Sequence, residues 1–164
     1  MRNKNTKIKF FLFEPRIGKE ELKNLSFCVK SNWISSTGKF VKEFEKKFAK
    51  FNNRKYAVSV SNGTAALEVA IKSLNLRKNS EVIIPAFSII STALCVIKEG
   101  LKPILVDCDQ NTWNTPCDKI LEKINKKTKA IIITHIYGLP VDLKKIIKIA
   151  KKKKIKIIED AAEV

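Results

Sequence analysis

Short apolar runs alternate with amphipathic segments five times from residue 56 onward, and this alternation constrains the fold more than any other feature of the chain. The runs are nearly continuous in apolar residues, as expected for parallel strands that are covered on both faces. We therefore predict an α/β fold with a mainly parallel sheet, right-handed crossovers and helices on both faces. The predicted strands are 56–60, 81–84, 103–106, 130–134 and 155–158.

The amphipathic segments predict the helices. Two of them, at 16–31 and 40–51, precede the first strand, and no linker is long enough to separate a further domain. We therefore expect a helical N-terminal segment over residues 1–52 and an α/β domain over residues 53–164. Within that domain the predicted helices are 64–74, 88–99 with Ser88 as its cap, 116–124, and 143–153 with Asp142 as its cap.

The chain is strongly basic, with 33 Lys and Arg residues against 16 Asp and Glu residues and a net charge of +17. Such a charge raises the question of nucleic-acid binding. Only four of the basic residues are arginines, however, and the arginine side chain is the one favoured for recognition of bases and phosphates. We interpret the lysines as a solvated surface and keep a non-catalytic basic α/β module that binds nucleic acid or polyphosphate as an alternative.

The cysteines and the least polar stretch of the chain indicate the cellular compartment in which the protein is expected. The four cysteines form no CxxC pair and the chain has one histidine, so no zinc site is predicted and free thiols in a reducing cytoplasm are expected. The uncharged stretch 82–97 is shorter than the ~20 residues of a membrane helix and contains Pro85. We expect a soluble cytoplasmic protein that does not bind a membrane.

The stretch Asn62-Gly63-Thr64-Ala65 joins the first predicted strand to the helix that follows it. Gly63 has no side chain, so a phosphate can approach the backbone there, and the helix start directs free N–H groups and its positive dipole end at that position. The Thr64 hydroxyl adds a further donor. On its own, the Asn-Gly pair is equally typical of a plain turn.

Asp160 follows the last predicted strand, so we expect it at the edge of the sheet where ligands bind in parallel α/β folds. A carboxylate there can keep the nitrogen of a pyridine ring protonated, although Asp160 alone also fits a helix cap. His135 follows another strand and could act as a base or simply be hydrogen-bonded. Gly63, Thr64 and Asp160 together suggest pyridoxal 5′-phosphate (PLP), held between its phosphate and its ring nitrogen.

Residues 10–164 resemble the N-terminal part of the DegT/DnrJ/StrS aminotransferases through eight motifs in chain order. The TWN motif is most similar to the perosamine-synthase branch. The motifs are WISSTG at 33–38, FVKEFE at 40–45, SNGTAAL at 61–67, IPAFS at 84–88, VDCD at 106–109, TWN at 112–114, HIYGLPVD at 135–142 and IEDAAE at 158–163.

The resemblance implies a fold and an activity. The fold would be part of the large domain of a fold type I PLP-dependent transferase, similar to aspartate aminotransferase, with residues 53–164 as a cofactor-binding domain that is incomplete at its C-terminus. The activity would be transamination of a keto sugar on a nucleotide carrier, in amino-sugar biosynthesis for a surface polysaccharide or glycan. The amino donor would be glutamate, and the full-length enzyme would be a homodimer.

The resemblance also assigns roles to individual residues. Asp160 would pair with the pyridine nitrogen, and Glu163 matches a position that approaches the ring hydroxyl. Ile89 occupies a site where many members stack an aromatic ring on the cofactor, and an aliphatic side chain there loses part of that contact, worth about 1 kcal/mol. Gly63 and Thr64 would hold the cofactor phosphate, and Ser36 and His135 would lie near the substrate.

No catalytic residue is assigned within the chain, because the family's aldimine lysine lies beyond the IEDAAE motif. Lys156 cannot replace it, since it lies four residues before Asp160, about 13 Å away along a strand. We therefore expect residues 1–164 to be a truncated N-terminal portion that is inactive on its own. An alternative within the same fold is a sugar dehydratase that uses pyridoxamine phosphate and carries a histidine in place of the lysine.

Overall fold

A computed structural model describes residues 15–164. These residues belong to two compact units, one that ends at Ser59 and one from Val60 to Val164. The elements are α1 (Lys19–Lys30), α2 (Lys39–Phe51), α3 (Gly63–Ser73), β1 (Glu81–Pro85), α4 (Ser91–Lys98), β2 (Lys102–Val106), α5 (Cys117–Lys123), β3 (Thr128–Thr134), a short 3-10 turn (Ile136–Gly138), α6 (Lys144–Lys153) and β4 (Lys156–Asp160). Every helix in this part of the chain is too short or too polar to span a bilayer.

The N-terminal unit contains the two predicted helices α1 and α2. The chain enters α1 at Gly18, whose N–H donates to Glu21 Oε2 at 2.7 Å and so satisfies a free donor of the helix start. Phe44 and Phe48 stack on one side of α2 with ring centroids 5.3 Å apart, as the helical spacing of its aromatic residues predicts. The predicted helices at 16–31 and 40–51 are therefore confirmed, with their ends shifted by one to three residues.

The prediction of a strand at 56–60 is wrong, because these residues have no regular structure. Val58 is 73% exposed, so the apolar run does not enter a core. The Ser59 N–H and hydroxyl both donate to Glu45 Oε1 at 2.9 Å, and the N–H is therefore not available to a sheet ladder. The apolar composition of the run predicts a strand only if a partner strand is present.

The sheet has four parallel strands in the order β2-β1-β3-β4, so the predicted parallel α/β fold is confirmed with one strand fewer among the described residues. The strands are in register at their carboxyl ends, where Pro85 pairs with Val106 and Thr134 pairs with Asp160. Residues that follow these positions therefore emerge along one edge of the sheet. That edge is the place where parallel sheets bind ligands.

Side chains on the two faces of the sheet form two separate cores, as expected when successive residues of a strand point to opposite sides. On one face, Val82 and Ile84 pack with residues of α3 and α4 such as Ile71 and Val96. On the other face, Ile83 packs with residues of α5 and α6. Burial of each of these side chains contributes roughly 1.5–3 kcal/mol. The helices thus cover both faces, as the continuous apolar strands predicted.

Helix α4 begins later than predicted, because Ser88 is not its cap. The helix starts at Ser91, and the Thr92 N–H donates to Ile89 O at 3.1 Å. The Ser88 hydroxyl is directed at two other hydroxyls, Thr92 Oγ1 at 3.2 Å and Thr134 Oγ1 at 3.4 Å. Because the helix begins at Ser91, Ser88 and Ile89 precede it and lie at the carboxyl edge of the sheet.

Candidate cofactor site

A cavity of about 240 Å³ lies at the carboxyl edge of the sheet. It lies on the face that carries α3 and α4, because Thr134 and Asp160 point to the same side as Ile132 and Ile158, which belong to that core. The residues that line it are Phe87, Ser88, Ile89, Thr134, Ile136, Tyr137, Asp160, Ala162 and Glu163. Three of the predicted site residues, Ile89, Asp160 and Glu163, are among them.

Asp160 is the last residue of β4, and its backbone and side chain are both fixed. Its carbonyl oxygen accepts the His135 N–H at 3.1 Å, which extends the β3–β4 ladder by one residue. Its Oδ1 accepts the Ala162 N–H at 3.2 Å, a turn that a short acidic side chain favours. The carboxylate is therefore presented to the cavity in a defined orientation.

Glu163 is held by the turn that follows β3. Its Oε2 accepts the Tyr137 N–H at 2.6 Å, a short bond of the kind made to a charged acceptor. The turn approaches the backbone of Glu163 so closely that a Cβ added at Gly138 would lie 2.8 Å from the Glu163 carbonyl oxygen. Gly138 also has a φ of +79°, which glycine adopts without strain. Glycine is thus required where these two segments meet.

The start of α3 presents free donors, as the Gly63-Thr64 motif predicted. The Asn62 side chain caps the helix by accepting the Ala65 N–H at 2.9 Å. The N–H groups of Gly63 and Thr64 have no hydrogen-bond partner among residues 15–164. A Cβ added at Gly63 would meet nothing within 4 Å, so the space beside its Cα is open.

Thr64 links this helix start to α4. Its Oγ1 lies 2.8 Å from Ser91 Oγ, and Ser91 is buried in the first turn of α4. Ile89 precedes that turn and lines the cavity with 63% of its surface exposed. Gly63 and Thr64 do not line the cavity themselves. The contact between the two hydroxyls places the start of α3 beside α4, and Ile89, which precedes α4, lines the cavity.

His135 lies on the other face of the sheet from Asp160. Its Nδ1 accepts the Val141 N–H at 3.1 Å, and its Nε2 lies 3.5 Å from Glu159 Oε2. Glu159 precedes Asp160 in the strand and therefore points to the opposite side. Both ring nitrogens of this buried side chain have partners, and His135 is not among the residues that line the cavity.

Ser36 belongs to the N-terminal unit, in the turn before α2, where it is exposed. A second cavity, of about 470 Å³, lies beside the core of α5 and α6 and contains none of the predicted site residues. Its lining includes Asp109, Thr112, Asn114 and Asp142. Its larger volume does not make it the better candidate, because Asp160 and the start of α3 lie elsewhere.

The residues at the cavity fit the parts of pyridoxal phosphate. Two unpaired backbone N–H groups at a helix start and open space at Gly63 suit a phosphate. The carboxylates of Asp160 and Glu163 and the apolar side chain of Ile89, which all line the cavity, suit a flat polar ring. Within residues 15–164 no lysine lines this cavity.

Three contributors were missed by sequence reasoning. Ser91 gives no signal until α4 is known to begin there, since a serine three residues after Ser88 is equally consistent with the interior of a helix. Asn114 lies in the TWN motif, but its side chain bonds to the turn 136–139, which is remote in sequence. Tyr137 was part of a motif and had no role assigned, although its N–H holds Glu163.

The parallel sheet and the helices on its two faces define residues 60–164 as an α/β unit with a candidate ligand site at the carboxyl edge of the sheet. The model of the DegT/DnrJ/EryC1/StrS aminotransferase family matches residues 15–164, and the chain belongs to this family. The resemblance found in the eight motifs is therefore confirmed.

Individual relatives agree with the family. GDP-perosamine synthase from Escherichia coli O157:H7 is 40% identical over 152 residues, which cover 93% of this chain and 42% of that protein. A dTDP-3-amino-3,6-dideoxy-alpha-D-galactopyranose transaminase from Aneurinibacillus thermoaerophilus is 38% identical over 148 residues, covering 90% of this chain and 40% of that protein.

A solved structure supports the fold. E. coli GDP-4-keto-6-deoxy-D-mannose-3-dehydratase with bound hydrated PLP superposes with a TM-score of 0.84 at 32% identity, covering 91% of this chain and 40% of that one. The chain thus spans about two fifths of the length of the relatives that it matches.

Proposed function

We propose that these residues are the N-terminal portion of a PLP-dependent aminotransferase that aminates a keto sugar on a nucleotide carrier. The observation that carries the proposal is that the Asp160 and Glu163 carboxylates line one cavity at the sheet edge. The start of α3 lies on the same face and contacts α4 there, and its Gly63 and Thr64 N–H groups have no partner among residues 15–164. The likeness to two enzymes of nucleotide-linked amino sugars supports the substrate class and a role in polysaccharide or glycan biosynthesis.

Each residue has a defined task in this proposal. The Gly63 and Thr64 N–H groups hold the cofactor phosphate, and the Asp160 carboxylate holds a proton on the pyridine nitrogen. Glu163 faces the ring hydroxyl, and Ile89 packs against one face of the ring. When bound, PLP supplies an electron sink for the carbon that carries the amino group.

The remaining assignments concern the substrate and the assembly. Ser36 is proposed to lie near the sugar substrate, and His135 to support the substrate side of the site. The hydrogen bond from the Val141 N–H holds the His135 ring, and Glu159 Oε2 lies 3.5 Å from its Nε2. Glutamate is the proposed amino donor, and the full-length protein is proposed to be a homodimer. Residues 53–164 would serve as the cofactor-binding domain.

The proposal leaves one group to be supplied from outside these residues. No lysine within residues 15–164 lines the cavity, so covalent attachment of the cofactor requires a lysine from outside these residues, and the family resemblance places it after the IEDAAE motif. We therefore expect the chain of residues 1–164 to show no transaminase turnover. Measurable turnover of glutamate by this chain alone would contradict that expectation.

A sugar dehydratase is the second candidate, favoured by one observation, the likeness to the E. coli dehydratase structure. Both activities use the same cofactor cradle, so the residues at the cavity do not separate them. The relatives favour the aminotransferase, because one of them is named as a transaminase.

The reading frame beyond codon 164 tests the proposal. A lysine in the segment that reaches the cavity supports the aminotransferase, and a histidine there supports the dehydratase. The whole protein is then incubated with glutamate and a panel of GDP- and dTDP-linked keto sugars, and 2-oxoglutarate release that depends on the keto sugar is expected. A stop codon directly after Val164, or a complete protein that releases no 2-oxoglutarate with any sugar of the panel, would contradict the aminotransferase.

A further inference from the structure

The side chain of Asn114 joins two loops at the carboxyl edge of the sheet. Its Oδ1 accepts the Ile136 N–H at 2.9 Å, and its Nδ2 donates to Leu139 O at 2.7 Å. Asn114 is only 6% exposed, so these are buried bonds whose loss would leave unpaired groups. The loop after β2 and the turn after β3 are therefore held together by a single amide group.

The turn that Asn114 holds has a conformation that needs such support. Tyr137, between the two bonded residues, has a φ of +51°, a left-handed conformation that costs a side-chain-bearing residue free energy. The residue before Asn114, Trp113, has a φ of +61° and is in the same situation. Trp113 and Tyr137 are thus strained positions next to the hydrogen bonds of Asn114. We infer that these bonds help to hold both loops in their strained conformations.

The held turn continues directly into the cofactor site. The Tyr137 N–H donates to Glu163 Oε2 at 2.6 Å, and both residues line the cavity that contains Asp160. Asn114 lines the other cavity, on the opposite side of the turn. It cannot reach the ligand itself, and any effect that it has on the site passes through the turn.

We propose that Asn114 is a positioning residue of the cofactor site: it holds the turn 136–139 so that the Tyr137 N–H fixes the Glu163 carboxylate toward the ligand. The inference rests on the proposed function, because it assigns Glu163 to the cofactor. A residue that merely stabilises the fold would lower stability without a specific connection to Glu163, and the two roles can be separated by experiment.

The test is a double-mutant cycle on the affinity of the whole protein that contains this chain for pyridoxamine 5′-phosphate, which forms no covalent bond to a lysine. Asn114→Ala is expected to weaken binding about tenfold, as for loss of the bond that orients a charged group. Glu163→Ala is expected to weaken it at least as much, and the double variant no more than Glu163→Ala alone. Asn111→Ala is the control, because only the backbone N–H of this exposed residue is bonded, and it should not change the affinity.

Hydrogen exchange of the Tyr137 amide gives a readout that needs no ligand. Asn114→Ala should accelerate its exchange and leave the amides of β3, such as Ile132, protected. Asn114→Asp serves if Asn114→Ala does not fold, because it keeps the acceptor for Ile136 and loses the donor to Leu139.

The role of Asn114 would be overturned if the double variant lost affinity by the product of the two single losses. It would also be overturned if Asn114→Ala left the exchange rate of the Tyr137 amide unchanged. Failure of the wild-type whole protein to bind pyridoxamine phosphate would overturn the proposed function and the cofactor role of Asn114 with it. Hydrogen exchange would then report only whether Asn114 holds the turn, so the two failures remain distinct.

Discussion

Thr64 Oγ1 and Ser91 Oγ lie 2.8 Å apart, and this contact joins the first turn of α3 to the first turn of α4. The start of α3, whose Gly63 and Thr64 N–H groups have no partner among residues 15–164, is therefore held beside α4, and Ile89, which precedes α4, lines the cavity of Asp160. The start of α3, which would bind the phosphate, is therefore also held in position by its contact with α4.

Removing this contact should weaken phosphate binding. Ser91→Ala keeps every proposed phosphate donor and loses only the link, so we expect the affinity for pyridoxamine phosphate to fall about three- to tenfold. Thr64→Val also removes a hydroxyl donor and should reduce it further. Both affinities can be measured by calorimetric titration.

Ser73→Ala is the control for these variants, because the Ser73 hydroxyl bonds to Ala70 O at the far end of the same helix. It should leave the affinity unchanged. Equal losses for Ser73→Ala and Ser91→Ala would mean that general stability of α3, and not the link, governs binding.

Gly138→Ala should destabilise the chain strongly. Its Cβ would lie 2.8 Å from a backbone oxygen of Glu163, and its φ of +79° adds a left-handed strain of about 1–2 kcal/mol. We expect the free energy of unfolding to fall by about 2–4 kcal/mol in urea denaturation.

Gly100→Ala is the matched control for that substitution. Its φ of +70° carries the same strain, but the nearest atom to the added Cβ is Lys78 Cγ at 3.4 Å, in a flexible side chain. We expect a loss of only about 1–2 kcal/mol. Equal losses at the two glycines would show that the close approach of Glu163 to the turn does not contribute.

The pKa of Asp109 should respond to changes in its loop. The backbone N–H of Thr112, then that of Asn111, and then the Thr112 hydroxyl lower the pKa of this exposed carboxyl. A depressed pKa means that Asp109 stabilises the folded state above its unfolded value, about 3.9, and that this contribution is lost as the pH falls through the lower folded value. Thr112→Val should raise the pKa part of the way, because both N–H bonds remain.

An NMR titration of the Asp109 carboxyl measures this effect directly. In Asp109→Asn the acid-dependent loss of stability from this position should disappear. A wild-type pKa at or above the ordinary aspartate value would contradict the hydrogen-bonded loop that precedes Asn114.

The sheet and its helices could be predicted because the strands are nearly continuous apolar runs, with β1 and β3 buried on both faces, and because the helices have an apolar side. The strand at 56–60 could not be excluded, since apolar composition does not reveal that Ser59 bonds to Glu45 instead of to a neighbouring strand. The positions of Asp160 and His135 on opposite faces follow only from the observed register of β3 and β4. The role of Asn114 could not be predicted because its hydrogen-bond partners are 22 and 25 residues away in the sequence.

The affinity of Asp160→Asn for pyridoxamine 5′-phosphate, measured beside that of Glu159→Gln, tests the proposed cofactor site most directly. The first substitution keeps the bond to the Ala162 N–H and removes the charge that faces the cavity, and the second removes a charge one residue earlier on the opposite face. We predict saturable binding by the wild-type whole protein, a loss of about tenfold or more in Asp160→Asn, and no change in Glu159→Gln. No binding by the wild-type whole protein, or equal losses in the two variants, would contradict the site.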